Sequence, residues 1–307
     1  MADASLRVIT GPTGAGKSAL VMALAARIPL AVISADSRQI YRGFDIGTAK
    51  SSAADRTRLP HFGIDVADPT ERYSAAAWAA AARTWIGDAE RAARVPVVVG
   101  GTGFYIRALV TPLFVEPVLD PARRVALAAH LAALPVSDLR RWCGALDRSR
   151  AHLGRAQLER AIEVAVLSGV AMSRWHALAP GAPERRARYL VVDPGPGLVE
   201  HLSARLGAMF DAGWVAEAAR LAARVPADAP AWKATGYAIA RAMARGEVDR
   251  VQGAARVLTA TRQYAKRQRT WMRNQLPAAD VTVLDPRLPN ALDRALEWWT
   301  ADREGMG

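Results

Sequence analysis

The chain is expected to fold as an α/β protein: a P-loop-type parallel sheet flanked by helices, with an all-helical insertion and a helical C-terminal part. Three observations lead there. Short apolar runs alternate with Ala-rich helical stretches over the first third of the chain. The segment Gly11-Pro12-Thr13-Gly14-Ala15-Gly16-Lys17-Ser18 fits the phosphate-cradling pattern G-x-x-x-x-G-K-[ST]. The region from 121 to about 176 offers no strand candidate at all, and the strand signal returns only at Tyr189.

Taken in order, Leu6 to Thr10 (LRVIT) reads as a strand, and Ser18 to Arg27 as a helix. Strand, glycine-rich loop and helix form the context that the motif requires. The glycines let backbone amides turn towards anionic oxygens, and the helix N-terminus adds partial positive charge at the same place. Lys17 can reach outer phosphate oxygens, and Ser18 can hold Mg2+. The motif implies a bound phosphate or pyrophosphate without saying whose. Leu30 to Ser34 (LAVIS) is the next strand and runs into Ala35-Asp36-Ser37-Arg38-Gln39. Phe62 to Val66 is a further strand candidate. Ser74 to Ala93 reads as a helix with Ser74 as its N-cap. Pro96 to Val99 is a strand entering Gly100-Gly101-Thr102-Gly103, and Tyr189 to Val192 is another. In a parallel sheet the C-terminal strand ends share one edge, where ligands bind, so the three loops are expected to converge on one cleft.

Past Leu109 the pattern changes. Pro112, Pro117 and Pro121 punctuate a linker, and residues 112–186 read as a helical insertion into a core made of 1–111 and 187–307. From Leu198 to about Gln275 the chain is helical again. Beyond about Ala279 a strand and a short helix (Leu292 to Trp299) are expected, with no role assigned.

With 307 residues, 51% of them hydrophobic, and a mean hydropathy of +0.02, the chain can bury a large core, as two domains or as one with an insertion. No window offers the ~20 uninterrupted apolar residues of a membrane span. The start, MADASLR, has no apolar signal segment, so a cytoplasmic location is expected, and no membrane partner. A single cysteine, Cys143, excludes an internal disulfide and a multi-cysteine zinc site, and the five histidines show no ligand spacing. The formal charge of +12 points to a polyanion such as nucleic acid, although an Arg-rich composition from a GC-rich genome would give the same total. Its placement is more telling. Between Arg250 and Ala279 there is no acidic residue, and Arg262, Lys266, Arg269 and Arg273 are spaced to share one helical face. Such a stripe suits a phosphate backbone. Val257, Leu258, Thr261, Tyr264 and Trp271 supply apolar contacts on other faces.

Several segments, in order from about residue 7 to 275, resemble the bacterial tRNA dimethylallyltransferase (tRNA isopentenyltransferase) family. Besides GPTGAGKS they are Ser34-Ala35-Asp36-Ser37-Arg38-Gln39-Ile40-Tyr41-Arg42-Gly43, then Asp45-Ile46-Gly47-Thr48-Ala49-Lys50, then Gly100-Gly101-Thr102-Gly103-Phe104-Tyr105. Gly236-Tyr237 and the run Thr261-Arg262-Gln263-Tyr264-Ala265-Lys266-Arg267-Gln268-Arg269-Thr270-Trp271-Met272-Arg273 complete the set. The resemblance implies transfer of a dimethylallyl group from dimethylallyl diphosphate to the exocyclic N6 of adenosine 37 in the anticodon stem-loop of tRNA. It also implies that the P-loop holds the donor's diphosphate and Mg2+ rather than ATP, and a monomer is expected.

On that resemblance Asp36 is the catalytic base, Lys17 and the loop amides stabilise the leaving diphosphate with help from Arg205, and Thr102 lies near the acceptor or the donor phosphate. A second family Arg is replaced by His201. Gly100, Gly101 and Gly103 would let RNA or donor approach closely. The acceptor adenine must be extruded, which loop RNA makes easier. Ser37, Arg38 and Gln39 are candidates for gripping it. Arg124, Gln157, Arg160, Lys233, Gly236, Tyr237, Arg262, Lys266, Arg267, Arg269 and Arg273 stand at positions that the resemblance or the basic stripe assigns to tRNA. Gln157 replaces a family Arg, for which Arg155 could compensate.

Three other readings compete. A small-molecule kinase or ATPase needs a Walker-B-type Asp, for which Asp65 in HFGID is a weak candidate. Prenyl transfer to free adenine nucleotide would need neither insertion nor basic stripe. A non-catalytic RNA-binding protein would not need Lys17, Ser18 and Asp36 intact.

Overall fold

The computed structural model describes residues 5–111, 117–178 and 185–301. They divide into two compact units, Met1–Val110 with Arg185–Gly307, and Thr111–Glu184. Pro112, one of the linker prolines, lies outside the described residues.

The first unit begins with β1 (Leu6–Thr10) and α1 (Lys17–Ala25), joined by the P-loop. Then come β2 (Leu30–Ser34), α2 (Ala53–Arg58), β3 (His61–Phe62), α3 (Ala75–Arg91), β4 (Val95–Gly100) and α4 (Gly103–Val110). Ser74 caps α3 as the sequence predicts, its hydroxyl accepting from the Ala77 N–H at 3.0 Å. The strand expected over Phe62 to Val66 is shorter. Gly63 (φ 79°) and Asp65 (φ 58°) turn left-handed and end the extended run after Phe62.

The second unit contains α5 (Pro121–Ala133), α6 (Val136–Leu146), α7 (Arg155–Ser168) and α8 (Met172–Ala177). Its own small core gathers Leu131, Leu139, Cys143, Leu158 and Ile162. Cys143 is therefore a buried apolar contact, its thiol pushed up from its ordinary value by burial first and then by Asp147.

The chain returns to the first unit with β5 (Ala187–Val192), α9 (Leu198–Asp211), α10 (Trp214–Ala222), α11 (Tyr237–Ala244), α12 (Arg250–Gln275), β6 (Val281–Leu284) and α13 (Ala291–Thr300). The sheet order is β3-β2-β4-β1-β5-β6, every pair parallel. Strands buried on both faces explain why β1, β2 and β5 read as continuous apolar runs. The tail acquires a role that its sequence did not disclose. β6 extends the sheet beside β5, and Ala291, Ala295 and Trp298 of α13 join the core cluster that holds Leu20, Val21 and Leu24 of α1.

Candidate active site

The P-loop leaves β1 at the ligand edge, and Gly16, in the left-handed region at φ 88°, caps α1. Lys17 folds back so that its Nζ donates to the Gly11 carbonyl at 2.9 Å and the Pro12 carbonyl at 2.8 Å. Burial first, and then the neighbouring Arg205, pull its ammonium down to about 8, against the opposing pull of Asp36 and Asp193. Arg205 arrives from α9, far away in sequence, and burial lowers its pKa while Asp36 counters. Two cations that line one cavity, Arg205 lowering the pKa of Lys17, form a site that a di- or trianion would relieve.

Across the cavity, Asp36 follows β2. The N–H of Ala35 donates to the Val99 carbonyl, the N–H of Thr102 donates to the Ala35 carbonyl, and the buried Trp78 indole donates to the Ser34 carbonyl at 3.0 Å. These bonds lock the ends of β2 and β4 together. Oδ1 of Asp36 accepts from the backbone N–H of Arg38 at 2.8 Å and of Gln39 at 3.4 Å, a local turn that aims the carboxylate. Thr102, at the start of α4, accepts from the Ser37 N–H at 3.0 Å.

These groups meet around two joined cavities. The larger, about 360 Å3, is lined by Lys17, Ser18, Asp36, Gly101 and Arg205 among others. The smaller, about 70 Å3, is walled by Leu202, Leu206, Met209, Trp214, Val257 and Leu258. Thr13, Asp36, Arg205 and Tyr264 line both. Thr13, Lys17, Ser18, Asp36, Arg38 and Arg205 thus line one or both of these cavities, and Thr102 stands beside them through its bond to Ser37. Ser18 is exposed at the first turn of α1. One hydroxyl beside an anion site suits a magnesium ion held mainly by substrate oxygens and water.

Other expectations are corrected by the packing. Tyr237 is fully buried; its hydroxyl donates to Glu217 Oε1 at 2.5 Å and accepts from the Gly47 N–H at 3.1 Å. Burial, then the Glu217 charge, push its pKa up. Glu217 also accepts from the N–H groups of Asp45 and Ile46, so the pair moulds the 45–50 loop instead of meeting RNA. Gly236, in the left-handed region, is buried under Trp214. Gln39 uses its amide on Ser34, Thr48 and Ala49 while it lines the larger cavity. Asp65 is no Walker-B carboxylate, because Lys50 and Arg56 hold it at 2.5 and 2.8 Å. At Gly100, Gly101 and Gly103 the close approach is by protein, since an added Cβ would strike Ala35, Gln268 and Trp271 respectively, while Gly100 and Gly101 also line the larger cavity.

Helix α12 is likewise divided. Arg262, Lys266, Arg267 and Arg273 are exposed, as is Lys233 in the turn before α11. Arg269 leaves the stripe, for its guanidinium pairs with Asp193 at 2.5 and 2.8 Å and donates to the Gly195 carbonyl. In the second unit, Arg124 and Arg160 both pair with the buried Glu163, Arg160 at 2.5 Å. Gln157 accepts from the Gly154 N–H at 3.1 Å as a helix cap, and Arg155 is taken by Glu159 and the Leu134 carbonyl. Each of these side chains has a partner within its own unit, while Arg124 and Gln157 remain exposed.

Two contributors escaped the sequence reading. The Tyr264 phenol lies against Thr102 and is pushed up to about 12 by burial and then by Asp36. Gln268 accepts from the Thr13 N–H and donates to the Gly101 carbonyl. Both are written in the basic helix, where alternation with Arg and Lys hides an inward face.

Fold and site together define a P-loop α/β protein whose anion pocket opens on a carboxylate, flanked by a helix with exposed cations. The family model described as IPP transferase matches residues 39–275. A tRNA dimethylallyltransferase from Anaeromyxobacter dehalogenans is 38% identical over 297 residues, spanning 95% of this chain and 99% of that one. One from Halorhodospira halophila is 41% identical over 286 residues, spanning 90% and 92%. The crystal structure of a tRNA isopentenylpyrophosphate transferase from Bacillus halodurans superposes with a TM-score of 0.69 at 29% identity, covering 97% of this chain and 96% of that one. The chain belongs to the IPP transferase family.

Proposed function

We propose that the chain transfers a dimethylallyl group from dimethylallyl diphosphate to N6 of adenosine 37 in tRNA, as a cytoplasmic monomer. The observation that carries this reading is the shared cavity, in which Lys17, Ser18 and Arg205 lie across from Asp36 with Thr102 alongside the Asp36 loop. The names of the relatives, tRNA dimethylallyltransferases, support the choice of substrate. Lys17 and Arg205 bind the diphosphate and stabilise it as it leaves with the electron pair of the breaking C–O bond. Asp36 orients the N6 amine through a hydrogen bond and takes its proton as the C–N bond forms. The small apolar cavity suits a five-carbon chain and keeps water from the allyl carbon. Magnesium at Ser18 would add positive charge to the diphosphate. The exposed cations of α12 and Lys233 attract the RNA backbone.

The test is label transfer from allyl-labelled dimethylallyl diphosphate, with Mg2+, to unmodified tRNA and separately to AMP. Label at an adenosine N6 of tRNA is expected. Label on AMP alone, or ATP hydrolysis with no label on either, would overturn the reading.

A further inference from the structure

Gln268 sits on α12 between the exposed Arg267 and the ion-paired Arg269, yet is only 7% exposed. A buried amide needs partners for both ends. Its Oε1 accepts from the Thr13 N–H at 2.8 Å, and its Nε2 donates to the Gly101 carbonyl at 2.9 Å. Thr13 belongs to the P-loop, and Gly101 immediately precedes Thr102. One side chain therefore spans the loop that would hold the donor and the loop on the acceptor side. The fit is close: a Cβ on Gly101 would come within 2.2 Å of Nε2. At neutral pH the primary amide supplies both the acceptor and the donor in one plane, whereas an ionised carboxylate of the same length would only accept.

We propose that Gln268 is a positioning residue for the transfer reaction. It sets the separation of the P-loop from the Gly101–Thr102 loop, and with it the approach of the allyl carbon to the amine. Because it rises from the helix that carries Arg262 and Lys266, it also registers both loops to the RNA-facing helix. This inference rests on the transfer reaction proposed above. Reaction rates fall steeply when reacting atoms are displaced by as little as an ångström, whereas ground-state affinities need not.

The experiment uses the full chain with Gln268→Met, which removes both hydrogen bonds at similar length, and Gln268→Glu, which regains the donor only when protonated. Single-turnover transfer is measured at saturating dimethylallyl diphosphate and tRNA, and magnesium pyrophosphate and tRNA dissociation constants are measured separately. For Gln268→Met the expected rate loss is about tenfold to about a hundredfold, with both dissociation constants within about threefold of wild type. For Gln268→Glu the rate relative to wild type at the same pH is expected to rise as pH falls, while the Gln268→Met ratio stays flat. Wild-type rates in Gln268→Met, a loss residing wholly in the dissociation constants, or a flat Gln268→Glu ratio would each overturn the proposal. Should Gln268→Met fail to fold, the Gln268→Glu profile decides alone. A wild-type chain that moves no label to tRNA overturns the transfer reading itself, and the positioning role with it.

Discussion

The P-loop brings Lys17 and Ser18 to the cavity from one run of consecutive residues, whereas α12 is a helix sorted into faces by tertiary contacts. In the P-loop, chain geometry does the work: β1 ends, Gly16 turns left-handed, and α1 presents its N-terminus and Lys17. In α12, Val257, Ala265, Gln268 and Met272 are buried while Arg262, Lys266, Arg267 and Arg273 stay in solvent, and Arg269 is drawn down onto Asp193. Under the function proposed above, phosphate binding of the first kind would require a short segment to be intact, whereas the second kind would tolerate loss of any one charge and depend on which side of the helix a residue occupies.

The largest effect is expected at the chemical centre. Asp36→Ala should lower single-turnover transfer by roughly a thousandfold while tRNA retention on a filter changes little. Near-normal turnover in that variant would remove Asp36 as the base. Next comes the outer face of α12. Reversing Arg262, Lys266 and Arg273 together should weaken tRNA binding and flatten its slope against log salt by about 3. Arg269→Ala should instead leave the slope nearly unchanged and lower stability by about 1 kcal/mol, because its pair is partly solvated. A slope change in Arg269→Ala equal to one phosphate contact would erase the distinction between the two faces.

The expected effects then become smaller and more structural. Tyr237→Phe removes one donor from the buried Glu217 and should cost about 1–3 kcal/mol in denaturant unfolding, with no change in salt slope. A change in slope without loss of stability would restore Tyr237 to the RNA surface. Last is the pH response of Lys17. Its folded pKa of about 8 lies below its ordinary value, so between about 8 and 10.5 the unfolded chain holds more protons, and the Lys17 contribution to stability rises with pH across that window. Pyrophosphate binding should respond with the opposite sign, weakening as pH rises through about 8 because the neutral amine no longer attracts the anion. Comparison with Lys17→Met isolates this term from the titration of pyrophosphate itself; identical pH profiles for the two proteins would refute it.

The parts legible in the sequence were those in which neighbours along the chain are also neighbours in function. Asp36 and Thr102 each follow a strand, and parallel strands deliver their C-terminal ends to one edge, so their meeting with Lys17 follows from pattern alone. Arg205 was reached through resemblance, since nothing in its local sequence marks it. The Glu217–Tyr237–Gly47 lock and the Arg269–Asp193 pair join residues far apart in sequence, and no local spacing encodes such partnerships.

By itself the sequence determined the alternation of strands and helices, the P-loop, the three loops of the ligand edge and the helical segment between two parts of the core. Each follows from periodicity, glycine placement or strand direction, which act over a few residues. Only the tertiary structure decided which face of α12 meets solvent and that Gly100, Gly101 and Gly103 admit protein side chains or backbone. It also decided that the tail completes the sheet and covers α1. Those outcomes depend on burying apolar surface and satisfying buried polar atoms across the whole unit at once, a condition that no short stretch of chain carries.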